Sequence, residues 1–448
     1  MDAVYKFFAA YSGFILFFGL VSHFIKEKLY LSEVLFACFF GIILKNFIDT
    51  KPSEEFIILI SRVLMSIQVV AVGMNVPRRY IFREVKSLLV ILFPIMIGSF
   101  LFSTAVINAI HNFDIRICMM IGAAISPTDP VLASTILKGK FANQYIPLHL
   151  RNLLIVESGV NDGLGFPLMA IPVLLIKFTT PKNFLKDFCL KVVFYEVILG
   201  IVLGFLIGYS ARKLLIFCKN RGFVDKESYL SYLLVLSFFS IGITALLKVD
   251  DILALFVVGL TFAWEDSIVQ RIRESKLLEI VDLIFSLNFF IFFGSILDFK
   301  DFTFKNTIIS FLLVFFKRLP FFFAFKRFIP QLFNLKETFF AGWFGPIGVG
   351  ALFFGYEALH SIPECKIKGV DSLIPIIKCL VFTSVVVHGI TAPIVHFHLK
   401  SNQKKIEDEN FSRDESDYTD DDCEITLDSD LNNRPFRNNT NIVYNQKF

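Results

Sequence analysis

Charge is scarce in this chain: Asp, Glu, Lys and Arg make up 19% of its 448 residues, against about 25% in soluble domains. That shortage argues against the roughly three soluble domains that chain length alone suggests. No two of the seven cysteines (Cys38, Cys118, Cys189, Cys218, Cys365, Cys379, Cys423) stand in a CxxC spacing, which removes the usual zinc and redox motifs. Most lie in or beside apolar runs and read as packing residues. No nucleophile–base pair or metal triad appears, so an enzyme is the least supported class, and no cofactor is implied. A long basic block is also missing. The net charge of +4 is spread in short clusters between apolar runs, unlike a nucleic-acid-binding surface. Tyr11-Ser12-Gly13 opens an apolar stretch with no small-residue cleavage site after it, so the N-terminus reads as a first membrane span.

What the chain does have is apolar length. Hydrophobic residues make up 55% of it, and 56 residues are Phe. Apolar runs fall near 7–25, 29–47, 55–75, 86–109, 115–137, 148–176, 191–210, 228–247, 250–264, 278–298, 307–325, 338–358 and 373–397. About 20 apolar residues span a hydrocarbon core as a helix, so the sequence predicts an all-α membrane protein of about thirteen transmembrane helices. The count is twelve if the short run 250–264 does not cross. With the N-terminus outside, the cytoplasmic loops collect Arg78, Arg79, Arg83 and Lys86; Lys138 and Lys140; Arg212, Lys213, Lys219, Arg221 and Lys226; Arg271, Arg273 and Lys276; and Lys326, Arg327 and Lys336, as the positive-inside rule requires. Arg116 and the four lysines of the 177–191 connection run against it. Residues 401–448 hold twelve acidic and six basic residues. The chain therefore divides into a membrane domain, 1–398, and an acidic tail, 399–448, expected to be disordered and cytoplasmic. Ser416 and Thr419 sit among its acids, as acidophilic kinase sites do; a plain solvated tail explains them equally well.

Polar groups within the runs carry the functional signal, because ionisable residues at membrane depth are costly. Ser126-Pro127-Thr128-Asp129-Pro130 lies in the middle of the run 115–137. Two prolines flanking an acid forbid regular helix there, so a helix broken beside a cavity is expected. The freed carbonyls near Thr128 suit a cation, and Asp129 suits the positive end of the half-helix that follows. A proline kink with a capping Asp is the plainer alternative. Glu157-Ser158-Gly159-Val160-Asn161-Asp162-Gly163 places two carboxylates, a hydroxyl and an amide in the centre of another run. Helical spacing puts Ser158 and Asp162 on one face, and Glu157 and Asn161 on the next. Such oxygen ligands suit Na+ or Li+. Burial favours the protonated form of a carboxyl group and brings titration towards neutral pH, so one group can hold a proton or a metal ion in turn. A structural hydrogen-bond network is the alternative. An intramembrane aspartyl protease lacks its Tyr-Asp partner here.

Lys317-Arg318, followed by Pro320, lies inside the run 307–325. Arg318 needs a carboxylate, and Glu157 is the natural partner; otherwise both cations snorkel to an interface. Gly345-Pro346-Ile347-Gly348-Val349-Gly350 predicts a second broken helix. Asp250-Asp251 opens the run 250–264, where capping and ion entry explain it equally well. The row Gly200, Gly204, Gly208 predicts close helix packing, within the subunit or between two. His388 titrates near neutral pH when accessible. Gln68 and Asn75 either line a cavity or bond to neighbours.

Taken together, these motifs resemble the monovalent cation/proton antiporters, and specifically the fungal plasma-membrane Na+/H+ antiporter branch. The resemblance runs through Arg62-Val63 to Gly73, Ser126 to Ala133, Gly139-Lys140-Phe141-Ala142, His149 to Leu154, Glu157 to Gly163, Asp250-Asp251, Trp343 to Gly350 and Val386 to Gly389. It implies an inverted-repeat fold with two broken crossing helices, and a homodimer whose protomers each have a dimer domain and a mobile core domain. By the same resemblance Asp162 binds the ion or proton, with Ser158 and the Thr128 backbone as further ligands of the transported Na+, Li+ or K+. Asn161 and Asp129 support the crossover, Glu157 pairs with Arg318, and Asp250, Asp251 and His388 are candidates for ion entry or pH sensing. Asn75 stands where the branch often has an acid, Val249 near where it has a small residue, and the tail is short. The expected function is Na+/H+ antiport at the plasma membrane by alternating access, giving cation export and pH homeostasis. The alternatives are an endomembrane K+/H+ exchanger and a transport-dead membrane scaffold signalling through its tail.

Overall fold

The computed structural model describes residues 2–25, 28, 31–47, 53–76, 79–137, 142, 146–223, 226–264, 277–362, 367–391 and 393–395. The acidic tail, and the expectations placed on Arg78, Lys138, Lys140, Arg271, Arg273 and Lys276, fall outside these residues. Among the described residues the protein is all α-helix, with no strand. In chain order the longer helices are α1 (Asp2–Phe24), α2 (Glu33–Lys45), α3 (Glu54–Asn75), α4 (Val85–His111), α5 (Ile115–Ile125), α6 (Pro130–Leu137), α7 (Leu148–Lys177), α8 (Pro181–Asn220), α9 (Lys226–Leu246), α10 (Asp251–Phe262), α11 (Leu277–Ile296), α12 (Phe304–Phe328), α13 (Leu335–Trp343), α14 (Val349–Ser361) and α15 (Val370–Val395). The pairs α5–α6 and α13–α14 are each one interrupted pass, so fifteen described helices make the thirteen passes that the apolar runs predict.

Six of these helices (α3, α4, α7, α8, α12 and α15) are long and apolar enough to cross a bilayer by length and composition. Five of the others, α5, α6, α10, α13 and α14, are short for physical reasons. The two interrupted passes split their length between half-helices. The 12-residue α10 sits inside the bundle, with Asp251, Ile252, Ala254, Leu255, Val258 and Phe262 at most 1% exposed. A helix enclosed by protein need not match the hydrocarbon thickness. Side chains start several helices by accepting from the first turn: Ser53 from Phe56 N–H, Thr303 from Asn306 N–H, and Asn334 from Glu337 N–H, each a typical capping residue. Asp114 caps α5 and also binds the Arg116 guanidinium at 2.7 and 2.9 Å. That hydrogen-bonded pairing holds the Asp114 carboxyl below the usual carboxylate range. It also neutralises the one arginine that broke the charge asymmetry of the loops.

Small residues set where helices come closest. Along α8, Gly200, Gly204 and Gly208 face the α10 backbone at Asp250, Ala254 and Val258, so this row packs within the subunit. A Cβ at Gly208 would lie 2.6 Å from Val258 O, and one at Gly204 would overlap Ala254 O. Gly73 of α3 and Gly259 of α10 close the opposite side of α10 in the same way. Because backbone cannot withdraw as a flexible side chain can, Gly204→Leu is expected to cost about 1–3 kcal/mol. A lower thermal midpoint of the detergent-purified protein would show it, and an unchanged midpoint would mean that this contact is loose.

Candidate functional site

The site is built where the two interrupted passes meet. Pro127 and Pro130 stop α5 at Ile125 and start α6 at Pro130. The segment between α13 and α14, Phe344 to Gly348, is non-helical. The two breaks touch directly, Asp129 N–H donating to Pro346 O at 2.9 Å. Ile347 N–H finds the Ser384 hydroxyl of α15 at 2.7 Å. Four half-helix ends therefore point into the middle of the bundle, each bringing unsatisfied backbone groups and a partial charge.

Three charged side chains satisfy those ends. Asp129, 3% exposed, accepts from Leu132 N–H of α6 at 3.0 Å through one oxygen and from Val349 N–H of α14 at 2.6 Å through the other. One carboxylate thus serves the positive ends of both half-helices. The negative ends are served by neighbours on α12. Lys317 Nζ donates to Ile125 O at the end of α5 at 2.5 Å, and Arg318 Nη2 donates to Ala341 O near the end of α13 at 3.2 Å. Adjacent residues on a regular helix point about 100° apart. Pro320 interrupts α12 between Phe316 and Leu319, and that bend lets both cations turn inwards. Lys317 is 1% exposed; it does not snorkel. Arg318 also forms a two-pronged ion pair with Glu157, at 2.6 and 2.8 Å.

Gly348 makes the crossing tight, since a Cβ there would overlap the Asp129 carboxylate. Gly348→Ala is therefore expected to push Asp129 off Val349 N–H and to lower stability by roughly 1–3 kcal/mol. Restoration of the thermal midpoint by a second-site change to a shorter residue at Asp129 would not occur, because the capping is lost with it.

The face of α7 opposite the breaks carries the polar cluster expected from the sequence. Asn161 Nδ2 donates to Thr128 Oγ1 at 2.8 Å, Asn161 Oδ1 accepts from Thr128 N–H at 3.3 Å, and the Thr128 and Ser158 hydroxyls lie 3.1 Å apart. Asp162, one turn beyond Ser158, is 2% exposed. Its Oδ1 faces the first turn of α14, 3.4 Å from where a Cβ of Gly350 would stand, and that same point is 3.3 Å from Met65 of α3. Among the described residues Asp162 makes no hydrogen bond or ion pair. The other two acids of the crossover, Asp129 and Glu157, are engaged.

The remaining sequence candidates lie apart from this cluster. His388 is 2% exposed, packed against Trp343 and Phe344 with Nδ1 unpartnered. Gln68 reaches Ser286 at 3.5 Å and Asn75 bonds the Ala71 carbonyl. Asp250 caps Leu253 N–H, while Asp251 meets Arg62 of α3 at 2.9 Å. The sequence named Arg62 only as part of the family resemblance and gave it no role; it spans Asp251 and, at 3.9 Å, Glu357 of α14, and its position within an apolar run was the available signal. Glu357 lines a cavity of about 290 Å3 with Lys177, Lys191, Glu196, Phe166 and Phe354. Phe166 and Phe354 meet edge to face, and Phe354 also packs on Gly165 and approaches Gly350.

Comparison with known proteins accords with this architecture. The family profile "Sodium/hydrogen exchanger, transmembrane" matches residues 13–398. A probable Na(+)/H(+) antiporter of Schizosaccharomyces pombe is 35% identical over 415 residues, covering 85% of this chain and 54% of its own. Na(+)/H(+) antiporter 2 of Zygosaccharomyces rouxii is 32% identical, covering 84% of this chain and 51% of its own. The chain thus spans about half the length of these curated relatives. The structure of the sodium proton antiporter MjNhaP1 from Methanocaldococcus jannaschii superposes with a TM-score of 0.67 at 18% identity, over 87% of this chain and 100% of that one, which speaks to the fold. From the match along nearly the whole membrane part, this chain belongs to the sodium/hydrogen exchanger family.

Proposed function

We propose that this protein is a secondary antiporter that exchanges Na+, and also Li+ or K+, for H+ at Asp162 by alternating access. The observation that carries the reading is the position of that carboxyl: buried, free of internal partners among the described residues, and beside backbone that two broken helices leave non-helical. A bare cation and a proton each satisfy the Asp162 carboxylate, and each excludes the other. Ser158 and the Thr128 backbone add hard oxygen donors, the kind that compensate a small alkali cation for lost water. Asp129, Lys317 and Arg318 neutralise the half-helix ends, so the charge that changes during a cycle is confined to the exchange site.

Access alternates, in this reading, when the elements carrying the crossover move against α3 and α10. The cavity above Phe166 and Phe354 serves one side. The N-terminus-outside topology makes that side external. The names of the relatives support Na+ as cargo, and the resemblance to the fungal branch supports a plasma-membrane homodimer with the segment 399–448 as its cytoplasmic tail. Vesicles containing the purified protein and holding a pH gradient are expected to lose it when Na+ or Li+ is added, and more slowly with K+. A gradient that survives all three cations would refute the reading.

A further inference from the structure

Around the exchange site, glycine stands where a side chain would collide. In α7, and from α13 through α14, a Cβ at Gly159, Gly163, Gly165, Gly342, Gly345, Gly348 or Gly355 would come within 3.0 Å of a neighbour. Gly350 is different. Its Cβ would meet nothing closer than the Met65 Cε methyl of α3 at 3.3 Å, followed by Asp162 Oδ1 at 3.4 Å and Phe354 Cε2 at 3.8 Å. Gly350 stands in the first turn of α14, and its φ lies outside the left-handed region. Alanine is the better helix former by about 1 kcal/mol. Neither packing nor backbone conformation calls for a glycine here.

What faces the open space is a carboxylate oxygen. Asp162 brings it from α7, while the other two bordering side chains, Met65 and Phe354, are apolar and 2% and 1% exposed. Three helices thus border one methyl-sized opening, with an oxygen on one wall and a thioether methyl and a ring edge on the others. The ring edge is held in place, because Phe354 lies against the bare backbone of Gly165 and meets Phe166 edge to face. The Met65 side chain is unbranched and adaptable. Apolar walls cannot replace the water that a cation sheds, so what they impose is a limit on size. Selection among cations of equal charge depends on the room available and the number of oxygen donors. Size rises from Li+ through Na+ to K+, so a wall opposite Oδ1 acts most strongly on K+.

We propose that this opening is where the transported cation is sized: the bare Cα of Gly350 leaves room for it on the Oδ1 side of Asp162, and the Met65 methyl sets the largest ion admitted. The inference rests on the exchange function assigned to Asp162 and adds which side of that carboxylate the cation takes. Gly350→Ala puts a methyl group 3.4 Å from Oδ1, in ordinary contact with the oxygen and in the space a cation needs. Met65, the far end of a flexible chain, yields by a few tenths of an ångström. The fold is kept while the cation loses room. Met65→Ala acts in the opposite sense, taking away the thioether wall.

The test measures apparent KM and maximal flux for Li+, Na+ and K+, using purified protein in liposomes that hold a pH gradient. Comparing cations within one variant cancels differences in protein amount and folding yield. A single methyl group of room changes discrimination by about tenfold or more. Gly350→Ala is therefore expected to raise the apparent KM for Na+ about tenfold relative to that for Li+, with a thermal midpoint no lower than the wild type's. Met65→Ala is expected to lower the apparent KM for K+ relative to Na+ by about the same factor, at a reduced midpoint because buried apolar surface is lost. The double variant should fall between the two. If Gly350→Ala changes all three cations equally, changes none, or falls hardest on Li+, the cation takes another side of Asp162 and the proposal is overturned. A Gly350→Ala protein that does not fold overturns the premise that the space is open. An unchanged K+ to Na+ ratio in Met65→Ala overturns the part given to Met65. A wild type in which no cation moves protons overturns the exchange reading itself.

Discussion

Asp162→Asn is expected to reduce Na+- and Li+-driven proton movement to the level of protein-free vesicles, while leaving the protein folded. The substitution preserves shape almost atom for atom, so the approach to Gly350 is unaffected. It removes the two properties exchange requires, a dissociable proton and a negative charge for the dehydrated cation. Loss is therefore complete in kind, because no concentration of Na+ makes an amide release a proton. Ser158→Ala provides the contrast. It deletes one neutral oxygen donor and leaves the carboxyl, so it should weaken apparent cation affinity by roughly tenfold, the scale of a hydrogen bond or weak ligand of about 1–2 kcal/mol, with maximal flux retained. Measuring both variants in the same vesicles, with thermal midpoints recorded alongside, separates a dead site from a damaged fold. Full exchange by Asp162→Asn would remove the basis of the mechanism.

The features legible in the sequence are those set by local chemistry. Pro127 and Pro130 interrupt a helix wherever they fall, and Gly345 to Gly350 cannot hold one firmly, so both breaks could be read from single segments. The i, i+4 spacing of Ser158 and Asp162 likewise follows from helix geometry alone. The Glu157–Arg318 pairing came from charge matching, since a buried arginine has few carboxylates to choose from. What stayed hidden depends on contacts between distant segments. That Asp129 serves α14 as well as α6 needs Val349, 220 residues away, to arrive at its second oxygen. That Lys317 answers Ile125 O needs the bend at Pro320 and the end of α5 to coincide. The short α10 also departs from the length expected of a span, because that rule assumes contact with lipid, and α3, α7 and α8 keep lipid away. The division of labour between Asp250 and Asp251 is the same kind of case: consecutive letters give no sign that an arginine from α3 reaches only one of them.

Breaking the Glu157–Arg318 pair is expected to have the largest effect on stability. Glu157 and Arg318 are 2% and 6% exposed, and removing one member of such a buried pair typically costs about 3–5 kcal/mol, because the other charge is left without compensation. Glu157→Gln should therefore lower the thermal midpoint steeply, since the amide answers a guanidinium only weakly. Arg318→Leu should do the same and also release Ala341 O at the end of α13. Replacing both, as Glu157→Leu with Arg318→Leu, removes the stranded charge and leaves only that lost backbone bond, about 1–3 kcal/mol for a charged donor. The double variant is thus expected to be more stable than either single one, a coupling that a double-mutant cycle on thermal midpoints measures directly. It should also retain Na+-driven proton movement, because Asp162, Ser158 and Thr128 keep their places on α7 and the α5–α6 break. A Glu157→Gln protein that melts with the wild type would show that the ion pair does not hold these helices together. A stable double variant without exchange would show instead that the pair takes part in transport, and that Asp162 does not act alone among the carboxylates of α7.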